Sequence, residues 1–191
     1  FQGDFANLSA HDLGGVAIAA AVARAGIPPE LVDEVLFGNC LMAGQGQAPA
    51  RQAALGASIP NTVPCTTVNK VCASGMKSIM FAAQQIMLGQ GDLIIAGGME
   101  SMSNIPFYLD KARWGYKFGE GKLIDGLQKD GLIDAYDKVA MGVSADATAE
   151  KYGISREDQD RFAIQSYERS AAATAAGLFK DEIVPVSIPQ R

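Results

Sequence analysis

Histidine is almost missing from this chain of 191 residues; His11 is the single one. There is no Cys-x-x-Cys pair, so a zinc site of the Cys/His type has no ligand set. Cysteine is scarce too. Cys40, Cys65 and Cys72 are an odd number without framework spacing, which predicts free thiols and a reducing compartment. Positive charge is short: the net charge is −5 with 19% charged residues, and no nucleic-acid-binding motif occurs, so no nucleic-acid partner is expected. No apolar run approaches the roughly 20 residues a membrane span needs. A dinucleotide fingerprint is lacking as well. Gly97-Gly98-Met99-Glu100 follows an apolar run but has neither the GxGxxG spacing nor the helix after it, and reads as a tight turn.

What remains is ordinary globular composition with 48% hydrophobic residues, enough chain for about one to one and a half domains. Ser9 followed by Asp12 predicts a capped helix that ends at Gly26. A turn at Pro28-Pro29, a strand over 33–38 and a glycine-rich loop over 41–47 come next. Pro49 opens a second helix running to about residue 56. The β-branched run over 61–69 predicts a strand. Met76, Ile79, Met80, Ala83 and Met87 then recur at the spacing of one helix face, and residues 92–96 read as another strand. Helices alternating with apolar strands predict an α/β layered domain. After Ser103 the pattern loosens. Helices over 144–152 and 155–176 and a last strand over 183–188, interrupted by Pro185, complete the reading.

Cys72 stands at the junction of strand and helix. By itself a cysteine there admits two readings. It can be a small buried core residue, or a nucleophile whose thiolate is favoured by the unpaired N–H groups and the positive end of the helix. His11, on the first helix without a partner motif, reads as a partly exposed helix residue. Cys40 and Cys65 read as packing residues on strands, and a Cys65–Cys72 disulfide is not expected.

The strings around Cys72 carry a resemblance. Val68-Asn69-Lys70-Val71-Cys72-Ala73-Ser74-Gly75-Met76-Lys77 resembles the nucleophile segment of the thiolase family. Gly97-Gly98-Met99-Glu100-Ser101-Met102-Ser103, Gln47-Ala48-Pro49-Ala50-Arg51-Gln52, Asp130-Gly131-Leu132 and Phe179-Lys180-Asp181-Glu182-Ile183-Val184-Pro185-Val186 are similar to it in the same order. The likeness is strongest to the short-chain acetyl-CoA acetyltransferases.

The resemblance implies a thiolase-like α/β fold, with residues 1–103 forming the N-terminal α/β domain and residues 104–191 part of an inserted helical loop domain. It implies that the family's first strand precedes Phe1, and that a C-terminal half, with the histidine-proline-glycine and cysteine-glycine-glycine motifs, lies beyond these residues. The implied reaction is Claisen condensation, or thiolysis of acetoacetyl-CoA, through an acetyl-Cys72 thioester. A longer-chain 3-ketoacyl-CoA thiolase and a non-catalytic acyl-CoA-binding subunit are the alternatives. Leu132 is implied to pack on CoA, and Met141 to border the acetyl pocket and limit acyl length. Ala140 stands where short-chain members carry histidine, a departure from the family. Lys111, Arg113, Lys117 and Lys122 are read as a solvated loop or as contacts for CoA phosphates. Gly97-Gly98 is read as support for a subunit interface. No cofactor is implied, CoA being substrate and product. Partners are acetyl-CoA, acetoacetyl-CoA and CoA, with a homodimer or homotetramer. The expected compartment is the cytoplasm or the mitochondrial matrix.

Overall fold

The computed structural model describes residues 1–188. The first helix, α1 (Ala10–Ala25), is built as its sequence predicts. The Asp12 N–H donates to Ser9 Oγ at 3.1 Å, and the Ser9 N–H donates to the Asp12 carboxylate at 2.9 Å. Gly26, at φ 65°, stops it in the left-handed conformation that costs glycine little. A short 3₁₀ turn, Pro29–Leu31, leads to strand β1 (Glu34–Gly38). Helix α2 (Pro49–Gly56) starts at a proline, and the Ala50 N–H is taken by Thr67 Oγ1 at 3.1 Å. Strand β2 (Cys65–Val68), helix α3 (Ser74–Met87) and strand β3 (Ile94–Gly98) follow.

The three strands form one parallel sheet in the order β2-β1-β3, with Gly38 paired to Val68 on one side and to Gly98 on the other. Alternation along β1 separates two layers. Val35 and Phe37 enter a core with Ile18, Ala50, Ala53, Ala54 and Met99, from and around α1 and α2. Glu34 turns the other way and accepts a hydrogen bond from Gln85 of α3 at 2.9 Å. At the start of the sheet the Asp33 carboxylate accepts the Asp92 and Leu93 N–H groups at 2.7 and 3.0 Å. The Leu93 and Asp92 bonds hold its pKa below the usual carboxylate value.

Helix α3 departs from the reading of its apolar stripe. The face toward the sheet is Ser74, Ser78 and Ala82, all buried, while Met76 is 68% and Met87 85% exposed. The reason is distance. A Cβ on Gly38 would lie 2.5 Å from the Ser74 carbonyl carbon and 2.6 Å from the Gly75 nitrogen, and one on Gly98 3.2 Å from Gly75 Cα. Backbone meets backbone here, so only small side chains fit between helix and strands. The Ser78 hydroxyl sits 2.7 Å from both the Gly75 and the Gly97 carbonyl oxygens and ties the helix to β3. Gly97 and Gly98 are therefore the end of a strand and not the tight turn expected.

Chain contacts gather residues 1–131, together with the described residues 186–188, into one compact unit and Leu132–Pro185 into a second. The sequence boundary after Ser103 falls inside the first, which also holds the hairpin of β4 (Phe107–Tyr108) and β5 (Ile124–Asp125) and most of a π-helical turn, Gln128–Leu132. Tyr108 Oη donates to the Asp130 carboxylate at 2.5 Å, and that bond above all pushes the phenol pKa up to about 12. The second unit contains α4 (Met141–Tyr152) and α5 (Arg156–Ala175). Gly153 closes the former, and Ser155 caps the latter through the Asp158 N–H at 3.0 Å. Residues 183–188 form no strand. Pro185 has no N–H to give a ladder, and none of the described strands pairs with this segment. The last three residues of the range 104–191 lie outside the described residues.

Replacing Gly38 by alanine should destabilise the protein by at least about 2 kcal/mol, because the added methyl meets backbone that cannot rotate away. A urea midpoint for G38A within error of wild type would refute this packing.

Candidate active site

Parallel strands with crossover helices place ligands at the carboxyl ends of the strands. Cys72 lies at that end of the sheet, in the turn Asn69-Lys70-Val71-Cys72-Ala73 between β2 and α3. It precedes Ala73, the N-cap residue of α3, and is exposed. The buried-core reading of this cysteine is thereby removed. No side chain caps α3, so no side-chain oxygen competes for its first-turn N–H groups.

The turn is strained. Val71 adopts φ 51°, a left-handed conformation that a β-branched residue avoids at a cost of about 1–3 kcal/mol. Hydrogen bonds hold it. The Val71 N–H donates to Asn69 Oδ1 at 3.0 Å. The buried Ser74 hydroxyl accepts the Lys70 N–H at 2.9 Å and donates to the Val71 carbonyl at 2.5 Å. The Ala73 N–H reaches the Lys70 carbonyl at 3.1 Å. The result is a thiol raised on a sharp bend, clear of the strand and just before a helix whose foot is seated on glycines.

Beside the turn runs the loop that leaves β1. Glu100, just beyond β3, accepts from Asn39 Nδ2 at 2.7 Å, from the Cys40 N–H at 2.9 Å and from the Leu41 N–H at 3.1 Å. Asn39 is 1% exposed, so this polar knot is largely shut off from water. On the far side, Asn69 Nδ2 donates to the Cys40 carbonyl at 3.2 Å. Cys40 thus lies in this loop and not on a strand as expected, because β1 ends at Gly38, where α3 comes closest. Burial raises the Cys40 pKa, and Glu100, Cys72 and Asp130 nearby push it the same way. Cys65 does lie on β2, and burial raises its thiol as well, against the lowering influence of Arg51. All three cysteines are free.

Glu100 was not singled out from the sequence. An acidic residue directly after an apolar strand is a signal that such a carboxylate faces the sheet's carboxyl end, where loop N–H groups converge. His11 is on α1, half-buried, and its Nδ1 has no protein partner. Among the described residues no group of three or more His, Cys, Asp or Glu is placed to hold a metal ion. Lys111, Arg113, Lys117 and Lys122 are exposed.

Leu132 and Met141 belong to the second unit, Cys72 to the first. Within their unit the two residues are drawn together. A bridge pairs Ile133 with Ala140, closed by the Asp134 N–H on the Val139 carbonyl at 2.8 Å. The Asp134 carboxylate accepts the Tyr136 and Asp137 N–H groups at 2.7 and 2.6 Å, bonds that keep its pKa low. Leu132 and Met141 flank this bridge, each 45% exposed.

Exposure orders the thiols, and partial burial shifts Cys40 and Cys65 further toward the unreactive form. Iodoacetamide at pH 7.5 should label Cys72 at least about tenfold faster than Cys40 or Cys65, since the thiolate is the reacting form and these two partly buried thiols are shifted toward the protonated form. Peptide mass spectrometry over a time course reads the order directly; Cys40 labelling first would contradict it.

Comparison with known proteins identifies the family. The thiolase N-terminal domain matches residues 1–191. Acetyl-CoA acetyltransferase 2 of Arabidopsis thaliana is 60% identical over 98% of this chain and 47% of that protein. Acetyl-CoA acetyltransferase A, mitochondrial, of Xenopus laevis is 56% identical over 100% of this chain and 45% of that protein. The cytosolic acetyl-CoA acetyltransferase of Gibberella zeae is 57% identical over 99% of this chain. The chain spans about half the length of the curated relatives it matches. A parallel sheet, a thiol on a strained turn at its carboxyl end and a match over every residue lead to one assignment: the chain belongs to the thiolase family and carries that family's N-terminal domain.

Proposed function

We propose that this chain supplies the nucleophile of an acetyl-CoA C-acetyltransferase, with Cys72 as the acyl acceptor. The observation that carries the reading is the exposed thiol at the head of α3, on the turn held by Asn69 and Ser74. In the first half-reaction the Cys72 thiolate adds to the thioester carbonyl of acetyl-CoA. Collapse of the adduct expels the CoA thiolate and leaves acetyl-Cys72. Thiolate suits this exchange because the leaving group is another thiolate. The backbone N–H of Cys72 itself, at the start of the helix, would supply part of the oxyanion stabilisation. In the second half-reaction the α-carbon of another acetyl-CoA, having lost a proton to a base, attacks the acetyl-Cys72 carbonyl. Acetoacetyl-CoA forms and the Cys72 thiolate is released. Thiolysis is the reverse.

His11 is not assigned as the base of this reaction, and these residues contain neither a histidine-proline-glycine nor a cysteine-glycine-glycine string to supply a base or a second acid/base thiol. The closing CoA contacts fall to Leu132 and the acyl-length limit to Met141, on either side of the bridge in the second unit. A methionine in that role would favour short acyl groups by its volume. The residues need no cofactor for this chemistry. A dimer or dimer pair in the cytoplasm or the mitochondrial matrix accompanies the reading; relatives carry both cytosolic and mitochondrial names.

With radiolabelled acetyl-CoA the intact protein should form one acid-stable adduct, and Cys72→Ala should abolish it. Undiminished labelling in C72A would remove Cys72 from the mechanism. In thiolysis, kcat/KM for acetoacetyl-CoA should exceed that for 3-ketohexadecanoyl-CoA by about a hundredfold or more. The opposite ranking would point to a long-chain 3-ketoacyl-CoA thiolase.

A further inference from the structure

We propose that Asn69 is a positioning residue for Cys72, coupling the thiol-bearing turn to the loop that leaves β1. The proposal rests on the reading of Cys72 as nucleophile. Asn69 immediately follows β2. Its two amide atoms act on different parts of the chain. Oδ1 accepts the Val71 N–H at 3.0 Å and so holds the left-handed residue that aims Cys72. Nδ2 donates to the Cys40 carbonyl at 3.2 Å.

The peptide group that carries the Cys40 carbonyl is itself fixed, because its N–H, that of Leu41, donates to Glu100 at 3.1 Å, and the same carboxylate holds the Cys40 N–H and Asn39. A continuous line of hydrogen bonds therefore runs from the Glu100 carboxylate through this peptide group and the Asn69 amide to Val71, next to Cys72. The Ser74 hydroxyl secures the same turn from inside, but only to residues of the turn itself and the helix it belongs to. Asn69 is the contact that references the thiol to the neighbouring strand end. Asn69 is exposed, so its loss removes direction from the turn and takes little from the core.

Only a side chain with donor and acceptor on one short planar group makes both bonds. Serine keeps an acceptor within reach of the Val71 N–H and loses the link to Cys40; alanine loses both. Three proteins in the full chain, wild type, N69A and N69S, separate these roles. Rapid-quench acetylation of Cys72 by acetyl-CoA should slow at least about thirtyfold in N69A. KM for acetyl-CoA should stay within about threefold and the melting temperature within a few degrees. N69S should recover to within about tenfold of wild type. A merely structural role would lower Tm and leave the acetylation rate of the folded fraction unchanged.

Acetylation in N69A within twofold of wild type overturns the proposal, as does an N69S rate no better than N69A. If N69A does not fold, N69S decides: a three- to tenfold fall supports the proposal and an unchanged rate overturns it. If acetyl-CoA labels no cysteine of the wild type, the reading of Cys72 as nucleophile fails. The role of Asn69 is then read from iodoacetamide alkylation of Cys72, where the same order of rates supports it and equal rates overturn it.

Discussion

Everything at the carboxyl end of this sheet depends on how closely the foot of α3 approaches the strands. Gly38, Gly75 and Gly98 allow main chain to lie against main chain, and Ser74 and Ser78 fill what space is left. That closeness ends β1 at Gly38, sends the following loop toward Glu100, and forces the link from β2 into α3 through the left-handed Val71. A wider helix–sheet spacing would relax the bend, and Cys72 would no longer stand clear of the strand. The strain at Val71 is local, but hydrogen bonds from three directions sustain it, as expected where a chain holds a reactive group in one orientation.

Much of this was legible in the residues. Ser9 with Asp12, Pro49, Gly26 and Ser155 announce helix ends because capping is a short-range matter decided within four residues. The strand–thiol–helix order around Cys72 was legible for the same reason. The facing of α3 was not. The spacing of Met76, Ile79, Met80 and Met87 reports an apolar stripe and says nothing of which neighbour it meets, and the sheet takes the small residues instead. Glu100 and Asn39 were invisible because they are about sixty residues apart and each is unremarkable alone. Residues 183–188 have strand composition, but a strand is a pairing and not a property of one segment, and no described partner is present.

On the proposed function, the first unit supplies an acyl acceptor. Its contribution is geometry and oriented N–H groups. On that reading the acid–base work of carbon–carbon bond formation is not assigned to any of these residues, His11 included. Such a division separates thioester exchange, which a positioned thiolate can do, from proton abstraction at carbon, which it cannot.

The small face of α3 has one more consequence, and it concerns entropy. Glycine, alanine and serine bring few or no rotamers to a contact, so seating the helix through Ser74, Gly75, Ser78 and Ala82 freezes almost no side-chain freedom. Long methionines and leucines at the same contact would each give up several conformers and could settle in more than one. The helix that presents Cys72 is thus registered by parts that have essentially one shape, while the adaptable side chains, Met76, Met80 and Met87, are kept on its other side. The thiol inherits the precision of the stiff face.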